Sequence, residues 1–328
     1  MPAGRAAIVR ESQSRSSSAQ CTSVQTRRKQ QGVPMSSKLS EIESRTASAR
    51  QLETVIGAMR GIAAAREREA QARLAGIRSV AATVGEAIGM VLAAASSPAQ
   101  AAQDAPPESA ARILIVLCTE QGFVGGFNEH LLARVERLKA DEPGEIFIVG
   151  TRGMMLAQER ALHYGWSVGM ATHAEDVMRV AGQIADAVFA RFRDHASSQV
   201  WLVHATPGPG LDERIVTRRL VPFDFTRFRV ASRGQPPLLN LPLDGLLRGL
   251  TERYVYLELC EGLMQSFAAE SAARVATMLA ASRHVKDRLQ ELTRDYRIVR
   301  QDEITAEIAE LAATGACAPI AGQGRGQS

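Results

Sequence analysis

Three glycines follow the most apolar run in the middle of this chain, in the segment Gly122-Phe123-Val124-Gly125-Gly126-Phe127-Asn128. Glycines after a strand can bring backbone N–H groups up to a phosphate. The dinucleotide version of that chemistry needs G-x-G-x-x-G directly after the strand, and the triphosphate version needs G-x-x-x-x-G-K-[ST]. Here the pattern is G-x-x-G-G, set off from the strand by Thr119-Glu120-Gln121, and Asp141 and Glu142 fall in a turn at the wrong place to meet a ribose. Gly122, Gly125 and Gly126 instead predict a tight structural turn from strand to helix, with Asn128 capping the helix.

Other residue types that do chemistry are scattered. The six histidines, His130, His163, His173, His195, His204 and His284, fall on different elements, and neither H-E-x-x-H nor G-x-S-x-G occurs. His204, at a strand end, is the best single candidate. Glu175-Asp176 and Asp302-Glu303 are neighbours on helical segments, so their carboxylates point apart. The four cysteines, Cys21, Cys118, Cys260 and Cys317, form no CxxC pair and no zinc spacing. They read as reduced thiols of a cytosolic-type compartment. No catalytic constellation, cofactor or metal is expected.

The elements around these residues say more. The chain has 328 residues, 45% hydrophobic and 23% charged, with a formal net charge of +4. At about 150 residues per domain this predicts two domains. Arginines Arg45, Arg50, Arg60, Arg66, Arg68, Arg73 and Arg78 alternate with glutamates along the first long helical stretch. They fit a solvated face or a surface toward an acidic protein partner. No basic run is interleaved with aromatics, which argues against nucleic acid. No stretch of about 18 residues is apolar without a charge, which argues against a membrane span.

Residues 1–34 are Arg- and Ser-rich and read as a disordered tail, a transit peptide or a start assigned too early, since Met35 opens the helical pattern. Residues 35–97 are free of proline until Pro98 and predict one helix of roughly 90 Å. Ile42, Ala49, Ile56, Ala63 and Ala70 stand seven apart, with Leu52 and Met59 as the companion position and Arg45 and Arg66 interrupting it. A linker with Pro98, Pro106 and Pro107 follows. Residues 110–232 alternate strand and helix: strands at 113–118, 146–149, 166–169, 200–204 and 215–221, helices at 128–140, 154–162 and 177–192. Pro207 to Gly210 make a turn, and 233–242 a proline-containing loop. Residues 243–315 form a second long helix with Leu250, Leu257, Met264, Met278, Val285, Leu292 and Val299 on one heptad position, and 316–328 a flexible tail. The fold class is α/β: a Rossmann-like, mainly parallel domain plus a long antiparallel coiled coil of the N- and C-terminal helices.

Three blocks then carry a family resemblance. They are 56–66 (I-G-A-M-R-G-I-A-A-A-R), 118–128 (C-T-E-Q-G-F-V-G-G-F-N) and 300–308 (R-Q-D-E-I-T-A-E-I), joined by Glu270-Ser-Ala-Ala-Arg274. In order and spacing the chain resembles the gamma subunit of F-type ATP synthases. Glu120, Gln121 and Val124 depart from the family's second motif, which has Asp, Arg and Cys there. The resemblance implies a non-catalytic central-stalk rotor without cofactor, carrying torque between the membrane c-ring and the alpha and beta subunits, and also binding epsilon. It implies that Met59, Arg66, Arg274, Arg300, Gln301, Thr305 and Glu307 contact the alpha/beta sleeve. The expected location is peripheral, on the cytoplasmic face of the plasma membrane, or on an organellar inner membrane if 1–34 is a transit peptide. Protons or sodium ions are open as the coupling ion. Two alternatives are a nucleotide-dependent oxidoreductase on the central sheet and a free-standing coiled-coil adaptor.

Overall fold

The computed structural model describes residues 35–94, 111–194, 198–208, 214–228 and 241–315. The expected N-terminal tail, the proline linker, Pro209-Gly210, most of the 233–242 loop and the C-terminal tail lie outside these, as do Cys21, His195 and Cys317. The long helices are α1, Met35–Ala94, and α5, Leu243–Gly315. Between them run β1 (Ala111–Leu117), α2 (Phe127–Asp141), β2 (Glu145–Val149), α3 (Thr151–Glu159), β3 (Trp166–Val168), α4 (Val177–Asp194), β4 (Ser198–Ala205) and β5 (Ile215–Val221). The chain forms two compact units, one of residues 52–286 and one of 1–51 with 287–328. Both long helices contribute to each.

In the larger unit the sheet order is β3-β2-β1-β4-β5. The first four strands are parallel, and β5 is antiparallel to β4. β1 is central and buried on both faces, which is why its sequence is an unbroken apolar run. Ile113, Ile115 and Leu117 face a core shared with α4, α1 and α5, and Leu114 and Val116 face a core shared with α2 and α3. Helix α3 starts three residues before the expected position. Gly150, at φ +107°, turns the chain straight out of β2, and Met154 N–H already bonds Gly150 O at 3.1 Å.

Helix α5 is more than one strand of a coiled coil. From Leu257 to Ser271 every residue but Glu261 is buried, with Leu259, Cys260, Leu263 and Phe267 laid on the sheet. Within this unit α1 runs antiparallel to it: Arg78 pairs with Glu261 at 2.9 Å, and seven residues on Gly85 lies under the Tyr254 ring, seven residues back. The first seam of α1 is as expected, with Ile56, Ala63 and Ala70 buried. Its companion is not. Leu52 is 51% exposed and Met59 only half-buried, while Leu74, Ala81 and Ile88, four residues after the first position, are the ones buried. Further along the helix these three apolar residues, not the phase set by Leu52 and Met59, form the covered face. One 18-residue window of α1 reaches mean hydropathy 1.3 and so matches a membrane span by length and composition only. Ile88, Val91 and Leu92 of this helix are buried within the protein.

In the smaller unit Leu292 is buried, and Leu289, Tyr296 and Val299 are half-buried at the seam spacing expected for α5. Ion pairs Arg45–Glu41 at 2.6 Å and Arg288–Glu291 at 2.7 Å lie on its solvent faces.

Candidate functional site

The turn after β1 gathers more polar bonds than any neighbouring loop, and they reach three helices. Gly125, at φ +62°, takes the left-handed step that the reversal needs. Phe123 does so too, at φ +63° and 63% exposed, while the Val124 side chain turns inward. Asn128 does not cap α2. Gly126, which has no side chain to bond, holds the cap position, and the Asn128 amide is spent on the end of β1. Its Oδ1 accepts Thr119 N–H at 3.0 Å, and its Nδ2 donates to Thr119 Oγ1 at 2.9 Å. Thr119 is fully buried, so these bonds satisfy groups that water cannot reach.

Glu120 reaches sideways. Its Oε2 accepts Thr151 N–H at 3.1 Å and Met170 N–H at 2.7 Å, and its Oε1 accepts the Thr151 hydroxyl at 2.6 Å. The backbone N–H groups of Glu120 and Gln121 lie on the side of the Glu270 carboxylate of α5 and favour its charged form. Arg274, one turn on, donates to Glu270 Oε1 at 2.6 Å, to Gly122 O at 3.2 Å and to Gln121 O at 3.5 Å. Burial raises the Glu270 pKa, and Arg274 with the turn's amides pulls the other way. Ser266 Oγ donates to Leu117 O at 3.1 Å, and from α1 Arg66 Nη1 reaches Gln121 Oε1 at 3.5 Å. The turn is thus tied to α5, α1 and the α3 junction together.

Of the residues expected at a sleeve, Arg274 sits differently. It is 6% exposed, and its Nε and Nη2 donate within the chain. Arg66 belongs to the same cluster but is half-buried, as is Met59. Arg300, Gln301, Thr305 and Glu307 lie exposed on α5 in the smaller unit. There Arg300 pairs loosely with Glu303 at 3.5 Å, and Thr305 Oγ1 donates to Gln301 O. The sequence marked Gly122, Gly125, Gly126 and Asn128 as a turn but missed the roles of Glu120 and Glu270. For Glu270 the signal was present, a carboxylate four residues before an arginine on a helix.

The lone chemical candidates are core groups. His204 is fully buried, bonded to Gln265 at 2.7 Å, and Gln265 in turn donates to Glu261 at 2.9 Å. Burial pushes the His204 pKa down to about 4, with the Gln265 bond opposing. Burial likewise pushes the Cys118 thiol up to about 12 and Cys260 up to about 11, which leaves both protonated and unreactive. Among the described residues no three His, Cys, Asp or Glu side chains are grouped to hold a metal.

A family profile described as ATP synthase matches residues 38–318. The ATP synthase gamma chain of Frankia casuarinae is 29% identical over 293 residues, covering 84% of this chain and 96% of that one. That of Solibacter usitatus is 26% identical, covering 85% and 99%. Among solved structures, a chain of the Euglena gracilis mitochondrial ATP synthase assembly of OSCP, F1 and c-ring superposes with a TM-score of 0.58 at 11% identity, over 88% of this chain and 99% of that one. A rotor chain from the same organism gives 0.55 at 12% identity, over 82% and 99%.

Proposed function

This chain belongs to the family of ATP synthase gamma chains, and from that membership we infer that it is the central-stalk rotor subunit of an F-type ATP synthase. It passes torque between the c-ring and the alpha and beta subunits, binds epsilon, and associates with the membrane peripherally through the complex. The observation that carries this reading is the tie between turn and helices. A part that transmits torque must not slip where its globular and helical portions meet. Here the junction is closed by the buried Glu270–Arg274 pair of α5, from which Arg274 also donates to the Gly122 and Gln121 carbonyls of the turn. Buried charge-assisted bonds of this kind cost about 3–5 kcal/mol to break from one side.

Exposed Arg300, Gln301, Thr305 and Glu307, with half-buried Met59 and Arg66, are the proposed contacts to the alpha/beta sleeve. The coupling ion is a proton or sodium. Reconstitution in vesicles with the cognate alpha, beta, epsilon and membrane subunits tests the reading. ATP-driven ion uptake is expected with the chain and none without it; equal uptake in its absence would end the rotor assignment. Arg300→Ala and Gln301→Ala are expected to lower coupled turnover while the chain stays folded.

A further inference from the structure

In parallel α/β sheets, ligands are received in the crevice outside the carboxyl ends of the strands. In this chain the carboxyl ends of β2 and β3, on the edge side of β1, hold a side chain of the chain's own. The donors that converge there are the first N–H of α3 at Thr151, the Thr151 hydroxyl, and Met170 N–H beyond β3, and all three are satisfied by one carboxylate. Gly169 lies alongside, and a Cβ there would be in ordinary contact with Glu120 Oε2 at 3.4 Å.

We propose that Glu120 is a positioning residue for torque transfer: its side chain latches the crevice at the sheet edge and so fixes the turn that α5 grips. The residue is bound in two directions. Its carboxylate holds the α3 and β3 ends, and the backbone that follows it is held by α5. The next two residues supply the carbonyls that Arg274 takes. Without the carboxylate the turn keeps its bonds to α5 and loses those to the sheet edge. It then pivots on the Glu270–Arg274 pair, and rotation of the helix is no longer delivered rigidly to the sheet.

The stereochemistry separates three variants. Aspartate, the residue of the family's motif here, is shorter by one C–C bond, about 1.5 Å, so the full set of three bonds is particular to the glutamate of this chain. Alanine makes no bond. Glutamine keeps the shape, with its carbonyl oxygen accepting both N–H groups and its amide donating to the Thr151 hydroxyl.

The latch stands on the geometry alone, while its mechanical consequence rests on the rotor reading, so two measurements keep them apart. In the full chain, hydrogen exchange at the Thr151 and Met170 amides is expected to quicken about tenfold or more in Glu120→Ala, through local opening. It should stay near the native rate in Glu120→Gln and slow again when formate is added to Glu120→Ala. In the reconstituted complex, Glu120→Ala is expected to lower ions pumped per ATP hydrolysed more than it lowers hydrolysis, with Glu120→Gln restoring the ratio. Unchanged exchange in Glu120→Ala overturns the latch. Faster exchange with full coupling overturns the positioning role. If Glu120→Ala exchanges fast throughout the chain, Glu120→Asp supplies the same comparison. Failure of the unaltered chain to support pumping counts against the rotor reading only, and exchange still decides the latch.

Discussion

Glu270 and Arg274 are each 7% exposed in their side chains, four residues apart on one helix, and neither has water to fall back on. Removing one partner strands the other. Arg274→Ala should therefore destabilise the larger unit by about 3–5 kcal/mol, measured by denaturant unfolding, far more than the exposed pair Arg288–Glu291 would on loss of either member. His204 gives a second handle. Its folded pKa lies at about 4, below the ordinary 6.5. Between those values the unfolded chain binds a proton that the folded chain refuses, so stability falls as pH drops from about 6.5 toward 4. The full shift is worth about 3 kcal/mol. Unfolding curves across that range should show this slope in the native chain and a flatter one in His204→Gln.

At the level of elements, tight packing at the β1 end is the most exposed to test. Gly153 sits in the first turn of α3, where an added Cβ would overlap Cys118 Cβ and Sγ. Gly153→Ala is expected to cost about 1–3 kcal/mol despite alanine's better helix propensity, and a melting curve would register it. The strands were legible because they are short apolar runs, 113–117 and 146–149 above all, and a run of that kind has few other places to go. The first seam of α1 was legible from Ile56, Ala63 and Ala70. Its companion was not, since small Ala81 was outvoted in the count by Leu52 and Met59, which the fold leaves on the surface or only half-covered. Buried polar residues were the least legible. Glu258, Gln265, Ser266 and Glu270 are each buried on α5 because a partner comes from a distant element: Arg227 for Glu258, His204 for Gln265, Leu117 for Ser266, the turn for Glu270. Apart from the Glu270–Arg274 spacing, local sequence carries no trace of such pairings, and Glu120 had none.

On the scale of the whole molecule, protection should be uneven along the single helix α5. Residues 257–271 are walled in on nearly every side, whereas beyond residue 286 only Leu292 is buried among the described residues. Hydrogen exchange is expected to be slowest in the first stretch and faster by orders of magnitude in the second, with opening free energies that follow local burial. Uniform protection along α5 would contradict the division into two units.

The same helix sets an order of events during synthesis. One face of β1, with Ile113, Ile115 and Leu117, is roofed by Leu259, Leu263 and Phe267, residues the ribosome adds only after all five strands. Until then the nascent sheet has no lid on that side and presents sticky surface to its neighbours. The piece of the chain that finishes the rotor is also the piece that makes the half-made product safe.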